Sequence, residues 1–251
     1  LPLTTANQVP TGIFIKGKEL GVHKAVRMVP QWDQKACSLC GKCPPYCRYN
    51  AVIRLGDYIM VLPELCHSCH ACSELCPEAA LPMQAMPLGT IRQYRAENLD
   101  FVESRLDIGL EQASPLIVQS LSFADQHFAT HQYQILDSPP GTSCAMISAT
   151  KTADYAILIT EPTPFGIYDL SLAVQTMRHL GIPFGVVVNR WGIGNSDVLD
   201  YLKREDIPLL AKIPHSREIA MAYSRGDVLY QVFPEVNEAL CRIIGNLETV
   251  I

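Results

Sequence analysis

The strongest constraint on this chain is a cysteine pattern that occurs twice in one short stretch. Eight of its ten cysteines fall between positions 37 and 76. The two runs share the spacing C-x2-C-x2-C-x3-C, and Pro77 follows the second. The first run consists of Cys37, Cys40, Cys43 and Cys47, and the second of Cys66, Cys69, Cys72 and Cys76.

This spacing favours iron–sulfur clusters. Three cysteines in a tight loop can reach three corners of one four-iron cluster, whereas the fourth, after a longer step, points away and binds the other cluster. We therefore predict two [4Fe–4S] clusters, the first held by Cys37, Cys40, Cys43 and Cys76, and the second by Cys66, Cys69, Cys72 and Cys47. Zinc and a disulfide scaffold are the alternatives, but zinc sites usually pair two C-x2-C spacings around a longer gap. His67 and His70 are predicted to be exposed loop residues that are not ligands.

Composition and charge narrow the class of protein. Of the 251 residues, 48% are hydrophobic and 18% are charged, which is typical of a globular protein. The net charge of −5 argues against a nucleic-acid partner, since such proteins usually carry a basic patch. No run of 18 apolar residues predicts a transmembrane helix, and "LPLTTANQVP" lacks the features of a signal peptide. We expect a cytoplasmic protein with no membrane partner, in which clustered cysteines bind metal rather than form disulfides.

Beyond residue 90, apolar strands alternate with amphipathic helices, which predicts an α/β fold with a parallel sheet covered by helices on both faces. Three domains are expected: a connector at 1–32, a ferredoxin-like insert of α+β type at 33–88, and a larger domain at 89–251. Strands are predicted at 133–137, 155–160, 183–190 and 207–214. Helices are predicted at 114–128, 166–181, 196–206, 216–226 and 234–250.

Ligands of parallel sheets bind at the carboxyl ends of the strands. Asp137 follows "YQIL", at the end of a strand that is predicted to be buried, and suits a contact to Mg²⁺ beside a phosphate. Gly141, in the next turn, offers a backbone N–H to that phosphate. The alternative is that "DSPPG" is an ordinary turn.

Two resemblances extend these predictions. The cysteine runs, with two short strands around Gly56-Asp57 between them, resemble the two-cluster bacterial ferredoxin module. The segments "ILDSPPGTSC", "ILITEPTPFGIYDLSLAV", "GIPFGVVVNR" and "IPHSREIAMAYSRG" resemble the MinD/ParA/Mrp branch of P-loop ATPases, in particular members with an inserted ferredoxin domain. Together the resemblances cover nearly the whole chain.

The ATPase resemblance implies roles for several residues. Asp137 would be the Walker B-type aspartate, and Gly141 and Thr142 would belong to the switch II turn. Asn189 and Arg190 would flank the adenine, and the loop after Pro214 would close over it. ATP and Mg²⁺ would lie between two subunits, in a homodimer or in a heterodimer with a related ATPase.

The sequence departs from this family in the phosphate-binding loop. No G-x4-G-K-[ST] motif occurs, and "GIFIKGKEL" at 12–20 has Glu after its Gly-Lys pair. Without that loop, the phosphates lack their cradle of N–H groups and their lysine. We expect the chain to be part of a longer protein or to be completed by a partner, and not to hydrolyse ATP alone.

Three functions are consistent with these features. The first is an ATP-linked protein that passes electrons to a redox partner or matures a metallocofactor. The second is a non-enzymatic electron carrier of the ferredoxin type, or a docking protein, without ATPase activity. The third, a positioning ATPase of the MinD kind, is disfavoured because the final helix carries three Glu and one Arg rather than a basic face. The two remaining cysteines, Cys144 and Cys241, are predicted to be buried structural thiols.

Overall fold

The computed structural model describes residues 3–5, 17–96 and 99–250, with side chains for 17–96 and 99–248. The chain divides into two compact units, Leu1–Pro139 and Pro140–Ile251. The division into 1–32, 33–88 and 89–251 stays a prediction.

The first unit contains a mixed five-stranded sheet and a separate hairpin. Its order is β2-β5-β6-β1-β7, in which β2, β5 and β6 form an antiparallel ribbon and β1 pairs in parallel with β6 and β7. The separate hairpin is β3–β4. The strands are β1 (Leu3–Thr5), β2 (Lys18–Pro30), β3 (Val52–Leu55), β4 (Tyr58–Val61), β5 (Met83–Ala96), β6 (Leu99–Leu106) and β7 (Ile135–Asp137).

The ribbon is covered by one amphipathic helix, α3 (Ala113–Phe128). Leu116, Phe123 and Ala124 of this helix pack against Leu88 and Val102 of the ribbon in one buried cluster. The burial of these apolar side chains stabilises both elements, because neither could bury its apolar face alone.

The cysteine-rich segment leaves the sheet at the end of β2 and returns at the start of β5. Pro30 pairs with Met83, and the ladder continues through the Gln31 N–H, which donates to Pro82 O over 2.8 Å. The Asp33 N–H donates to Ala80 O over 2.9 Å. Between these anchors lie α1 (Cys43–Tyr46), the β3–β4 hairpin, a 3-10 turn (Pro63–Leu65) and α2 (Ala71–Glu74). Residues 31–82 therefore form a loop-rich segment whose two ends are fixed together.

The second unit contains a parallel three-stranded sheet, β8 (Ala156–Thr160), β9 (Phe184–Trp191) and β10 (Leu209–Pro214), in the order β10-β9-β8. Successive valines of the central strand are buried on opposite faces: Val186 and Val188 pack in one cluster, and Val187 in another. Both faces of β9 are thus covered. The helices of this unit are α4 (Cys144–Thr150), α5 (Pro164–Leu180), α6 (Asp197–Arg204), α7 (Arg217–Arg225), α8 (Leu229–Val232) and α9 (Pro234–Val250).

Several local predictions are confirmed. Helix α5 ends at Gly181, which adopts the left-handed conformation (φ 70°), as glycine does readily at a helix C-terminus. Leu170, Val174 and Met177 are its buried residues. The helix predicted at 196–206 is present as α6, with Ser196 at its N-cap position, but the Ser196 side chain makes no capping hydrogen bond. Instead, Asn195 Oδ1 accepts from the Asp197 N–H.

The prediction of a single parallel sheet is wrong in part, although the chain is a mixed α/β protein. The structure has one mixed sheet, one short parallel sheet and the β3–β4 hairpin. The antiparallel ribbon escaped prediction because β2 pairs with a strand that follows the whole cysteine-rich segment. The strand at 133–137 is also shorter and more exposed than predicted, since it begins at Ile135 and that side chain is 47% exposed. Among the described residues, no helix is both long and apolar enough to cross a bilayer.

Candidate metal centres

The two cysteine runs have the same backbone conformation. In each, the residues two, four and thirteen positions after the first cysteine have positive φ angles between 49° and 74°. Five of these six residues are not glycine, and a positive φ is uncommon for residues other than glycine. Such strain persists where the surrounding structure imposes it, often at binding sites. The residues are Leu39, Gly41 and Asn50 for the first run and Ser68, His70 and Ala79 for the second, with Asn50 and Ala79 three residues after the last cysteine of each run.

Backbone N–H groups in both runs point to cysteine sulfurs. The Leu39 N–H donates to Cys37 Sγ over 3.4 Å. The Ala51 N–H donates to Cys47 Sγ over 3.2 Å, and the Ala80 N–H donates to Cys76 Sγ over 3.3 Å. Such bonds favour the thiolate form that a metal requires.

Each set of four cysteines surrounds a cavity. The first cavity, of about 360 Å³ including its opening to solvent, is lined by Cys37, Cys40, Cys43 and Cys76. The second, of about 320 Å³, is lined by Cys47, Cys66, Cys69 and Cys72. The structure therefore places the last cysteine of each run at the other run's cavity.

The donor set at each cavity consists of four cysteine thiols. Within the described ranges, no group of three or more His, Cys, Asp or Glu side chains is arranged to hold a single metal ion. Four thiols spread around a cavity match the corners of an iron–sulfur cube, whose ligands are cysteine thiolates.

Three buried donors provide a second test of this fit. Arg27 Nε, Trp32 Nε1 and Ser68 Oγ have no hydrogen-bond partner among the described residues. Trp32 lines the first cavity, and Ser68 lies in the sequence between Cys66 and Cys69, which line the second. Buried donors are expensive to leave unpaired. Sulfur atoms of an anionic cluster would supply acceptors at both places.

Burial governs the acidity of the innermost thiols. Desolvation raises the pKa of Cys43 and of Cys66, and raises that of Cys72 to about 11. Neighbouring cysteines raise the Cys72 pKa further, because several thiolates would repel one another. At Cys66, the positive charge of Arg27 acts against burial and lowers the pKa. Metal binding at these sites therefore requires the release of protons.

The second cavity also carries a stacked aromatic pair. Tyr49 and His67 both line it, and their rings stack with centroids 3.7 Å apart. His67 is exposed, as predicted, whereas His70 is half-buried. The Tyr49–His67 pair could not be predicted, because Tyr49 follows the first run and His67 lies within the second, 18 positions later.

The predicted nucleotide residues are divided between the two units. Asp137 is the last residue of β7 in the first unit, where it is half-buried. Gly141 and Thr142 lie in the second unit, in the exposed turn before α4. Gly141 has a φ of +86°, and a Cβ built there would meet nothing within 4 Å, so the turn needs glycine for its conformation.

Three other predicted residues lie at one end of the second unit's sheet. Asn189 and Arg190 are near the carboxyl end of β9, and Pro214 ends β10, paired with Trp191. Arg190 has a φ of +51°, and its Nη1 lies 3.2 Å from Glu161 Oε1. Sequence reasoning missed this ion pair, although Glu161 directly follows β8. Residues 12–16, from the segment compared with the phosphate loop, lie outside the described residues.

The predictions for the two remaining cysteines are wrong. Cys144 is exposed at the first position of α4, and Cys241 is exposed on α9. Cys241 Sγ contacts Asn237 Oδ1 over 3.9 Å. An apolar helix pattern placed Cys241 in the core, but the buried positions of α9 are Val236, Ala239 and Ile243.

Sequence comparisons find similar proteins in archaea. No protein-family profile matches the chain. An uncharacterized protein of Methanocaldococcus jannaschii is 25% identical over 181 residues, which cover 72% of this chain and 62% of that protein. An iron–sulfur cluster carrier protein of Pyrococcus horikoshii is 25% identical over 141 residues, covering 48% of this chain and 47% of that protein. The chain thus spans less than two thirds of the length of these relatives.

Structure comparisons find MinD proteins. The cell division ATPase MinD of Pyrococcus furiosus matches with a TM-score of 0.48 and 18% identity, covering 63% of this chain and 70% of that one. The MinD cell division protein of Aquifex aeolicus matches with a TM-score of 0.49 and 17% identity, covering 62% and 68%. The proteins that match parts of this chain thus include MinD cell division proteins and an iron–sulfur cluster carrier protein.

Proposed function

We propose that the protein is an electron-transfer protein that binds two [4Fe–4S] clusters. Cys37, Cys40, Cys43 and Cys76 would hold the first cluster, and Cys47, Cys66, Cys69 and Cys72 the second. The observation that carries this proposal is the pair of cavities, each lined by four cysteines from both runs. Bound clusters of this kind supply one-electron transfer.

The chain's own residues would hold the clusters close together. Cys43 and Cys47 are separated by one helical turn, yet they line different cavities. Helix α1 carries Cys43 and precedes Cys47. It contacts helix α2, which carries Cys72. The N–H groups of Leu39, Ala51 and Ala80 would stabilise the thiolates.

The proposed experiment is anaerobic reconstitution followed by measurement of iron, acid-labile sulfide and electron paramagnetic resonance. We expect about eight irons per chain, four for each cluster. Cys40→Ala and Cys69→Ala remove one exposed ligand from the first and second cavity, and each should lower iron to about half.

The matched control is Cys144→Ala, which removes an exposed cysteine outside both cavities and should leave the iron content unchanged. Stoichiometric zinc without iron would contradict the proposal. So would an unchanged iron content in both ligand variants.

We further propose that electron transfer is linked to ATP, either to supply electrons to a redox partner or to mature a metallocofactor. Support comes from the resemblance to MinD/ParA/Mrp ATPases and from the similarity to an iron–sulfur cluster carrier protein. ATP and Mg²⁺ would contact Asp137, Gly141, Thr142, Asn189, Arg190 and Pro214 within a dimer of this chain or with a related ATPase.

The alternative is a ferredoxin-type carrier that binds no ATP, and the lack of a G-x4-G-K-[ST] motif in the 251 residues favours it. Equilibrium binding of ATP with Mg²⁺ separates the two. Binding that Asp137→Asn weakens would support the ATP-linked function, whereas no binding by the reconstituted protein would support the carrier.

A further inference from the structure

A buried arginine of the first unit has no counter-charge among the residues that the structure describes. Arg27 lies on β2 between Ala25 and Val29, and these alternate residues face the interior. Only 4% of Arg27 is exposed. Its Nη1 donates to Gln112 Oε1 over 3.0 Å, but its Nε has no partner in the described part of the chain. No described carboxylate lies within ion-pair distance of it.

Neighbours of Arg27 in the sheet pack against cysteines of the second cavity, and its charge acts on the Cys66 thiol. Val29, two residues along the same face of β2, packs in a cluster with Cys66 and Cys47. Met86, which pairs with Arg27 across the sheet, packs against that cluster as well. Gln112, the partner of Arg27, also donates to Glu64 O over 2.6 Å, within the turn that leads to Cys66.

A buried charge without a partner is costly, so such charges are normally paired. A cluster held by four thiolates is anionic, and it would supply the missing counter-charge. We propose that Arg27 sets the reduction potential of the second cluster, because it stabilises the more negative, reduced state of a cluster held by Cys47, Cys66, Cys69 and Cys72. This inference rests on the proposed binding of two clusters.

The first cavity has no equivalent charge in the described structure. Lys42, which lines it, is exposed, and so is Arg54, whose Nη1 donates to Leu39 O over 2.8 Å. Water and salt screen exposed charges strongly. Arg27 therefore gives the two cavities different electrostatics although their backbones match.

This difference gives electron flow a direction. A one-electron carrier protein of low potential would supply the electron at the first cavity. That electron would then pass to the second, so that the first cluster is oxidised as the second is reduced, with no bond formed or broken. Arg27 would hold the electron at the second cavity until a partner accepts it.

The test is a dithionite titration of the reconstituted protein, followed by electron paramagnetic resonance. Cys40→Ala and Cys69→Ala assign each signal to its cavity. In Arg27→Gln, the second cluster should become at least tenfold harder to reduce relative to the first, a shift of about 59 mV for one electron. The first cluster's potential should stay unchanged. Arg27→Lys, which keeps the charge, should restore most of the difference.

The matched control is Lys24→Gln, which removes the same charge from an exposed position on β2 and should shift neither potential. A second variant, Gln112→Glu, places a carboxylate on the Arg27 guanidinium and should lower the same potential without removing Arg27. If Arg27→Gln fails to retain the second cluster, the potential measured in Gln112→Glu tests the role of Arg27 by itself.

Two clusters with unchanged potentials in both Arg27→Gln and Gln112→Glu would overturn this inference and leave the proposed function standing. A wild-type protein that binds no pair of clusters would overturn the proposed function itself.

Discussion

The carboxylate of Asp100 is buried in the first unit, where a cationic side chain and a histidine contact it. Its side chain is 3% exposed, and its oxygens accept from Arg95 Nε over 2.7 Å and Nη2 over 2.8 Å. His131 Nε2 lies 2.8 Å from Oδ2. Burial opposes ionisation, but the hydrogen bonds and charges of Arg95 and His131 outweigh it and hold the pKa of Asp100 below its ordinary value. Asp100 thus connects β6 to β5 and to the segment after α3.

We predict that Asp100→Asn lowers the free energy of unfolding by about 2 kcal/mol at pH 7, because charged hydrogen bonds are lost. Since the folded-state pKa is lowered, this stability is present above the unfolded pKa of about 3.9 and is lost as the pH falls through the folded value. Urea midpoints of wild type and variant, compared at each pH, measure it.

Asp107→Asn is the control for this prediction, because Asp107 is exposed and its described hydrogen bonds are made by its backbone: its N–H donates to Leu88 O, and its carbonyl accepts from the Leu110 N–H. It should change the midpoint little at any pH. A difference between Asp100→Asn and wild type that persisted at pH 2 would contradict the assigned role of the ionised carboxylate.

At the scale of elements, helix α3 protects the edge of the antiparallel ribbon. Strand β2 is at the end of the described sheet order, so its outer backbone groups lack a neighbouring strand. The Gln119 side chain acts as that neighbour for one residue: its Oε1 accepts from the Val26 N–H over 3.2 Å, and its Nε2 donates to Val26 O over 2.8 Å. Covering an edge in this way discourages pairing with other chains.

We predict that Gln119→Ala accelerates hydrogen exchange at the Val26 amide and lowers stability by about 1 kcal/mol. Exchange measured by nuclear magnetic resonance or mass spectrometry tests this. Gln126→Ala removes the same side chain from a more C-terminal turn of α3, where its Nε2 donates to Ser122 Oγ, and should leave the Val26 amide protected. Equal exchange at Val26 in both variants would contradict the role of Gln119.

Sequence patterns predicted the elements whose signals are local. Helix α5 was predictable from its apolar positions and from Gly181 at its end. The grouping of the cysteines around two cavities was predictable from their spacing. The β2–β5 pairing was not, because Arg27 and Met86 face each other across the whole cysteine-rich segment. Arg27 itself has no motif. It can be recognised only by its burial and by its unpaired Nε, which depend on tertiary packing.

At the scale of the whole molecule, the two compact units carry different sets of predicted site residues. All eight cysteines of the runs lie in Leu1–Pro139, and three of the predicted nucleotide residues lie in the sheet of Pro140–Ile251. Their cores are separate as well: Leu81 packs near Cys37 and Cys72, whereas Met177 packs near Met146 and Ile182. Stability and iron retention should therefore respond to different substitutions.

We predict that Met177→Ala and Leu81→Ala each destabilise their own unit by about 2 to 5 kcal/mol, because each leaves a cavity at a position that is 0% or 2% exposed. Only Leu81→Ala should speed the release of iron to a chelator. Thermal unfolding and the rate of iron release, measured on the same samples, test this. If Met177→Ala accelerated the release of iron as much as Leu81→Ala does, this prediction would be contradicted.

The matching φ angles of the two cysteine runs have a consequence for how the sites could diverge. Each run has the same cysteine spacing and the same pattern of positive φ angles. A symmetric pair of sites has no preferred direction, so any functional polarity must come from residues outside the repeated unit. Strand β2, which enters before the first run, carries such a residue in Arg27. The buried charge that distinguishes the two cavities therefore lies in the surrounding sheet, on a strand outside the repeated cysteine spacing.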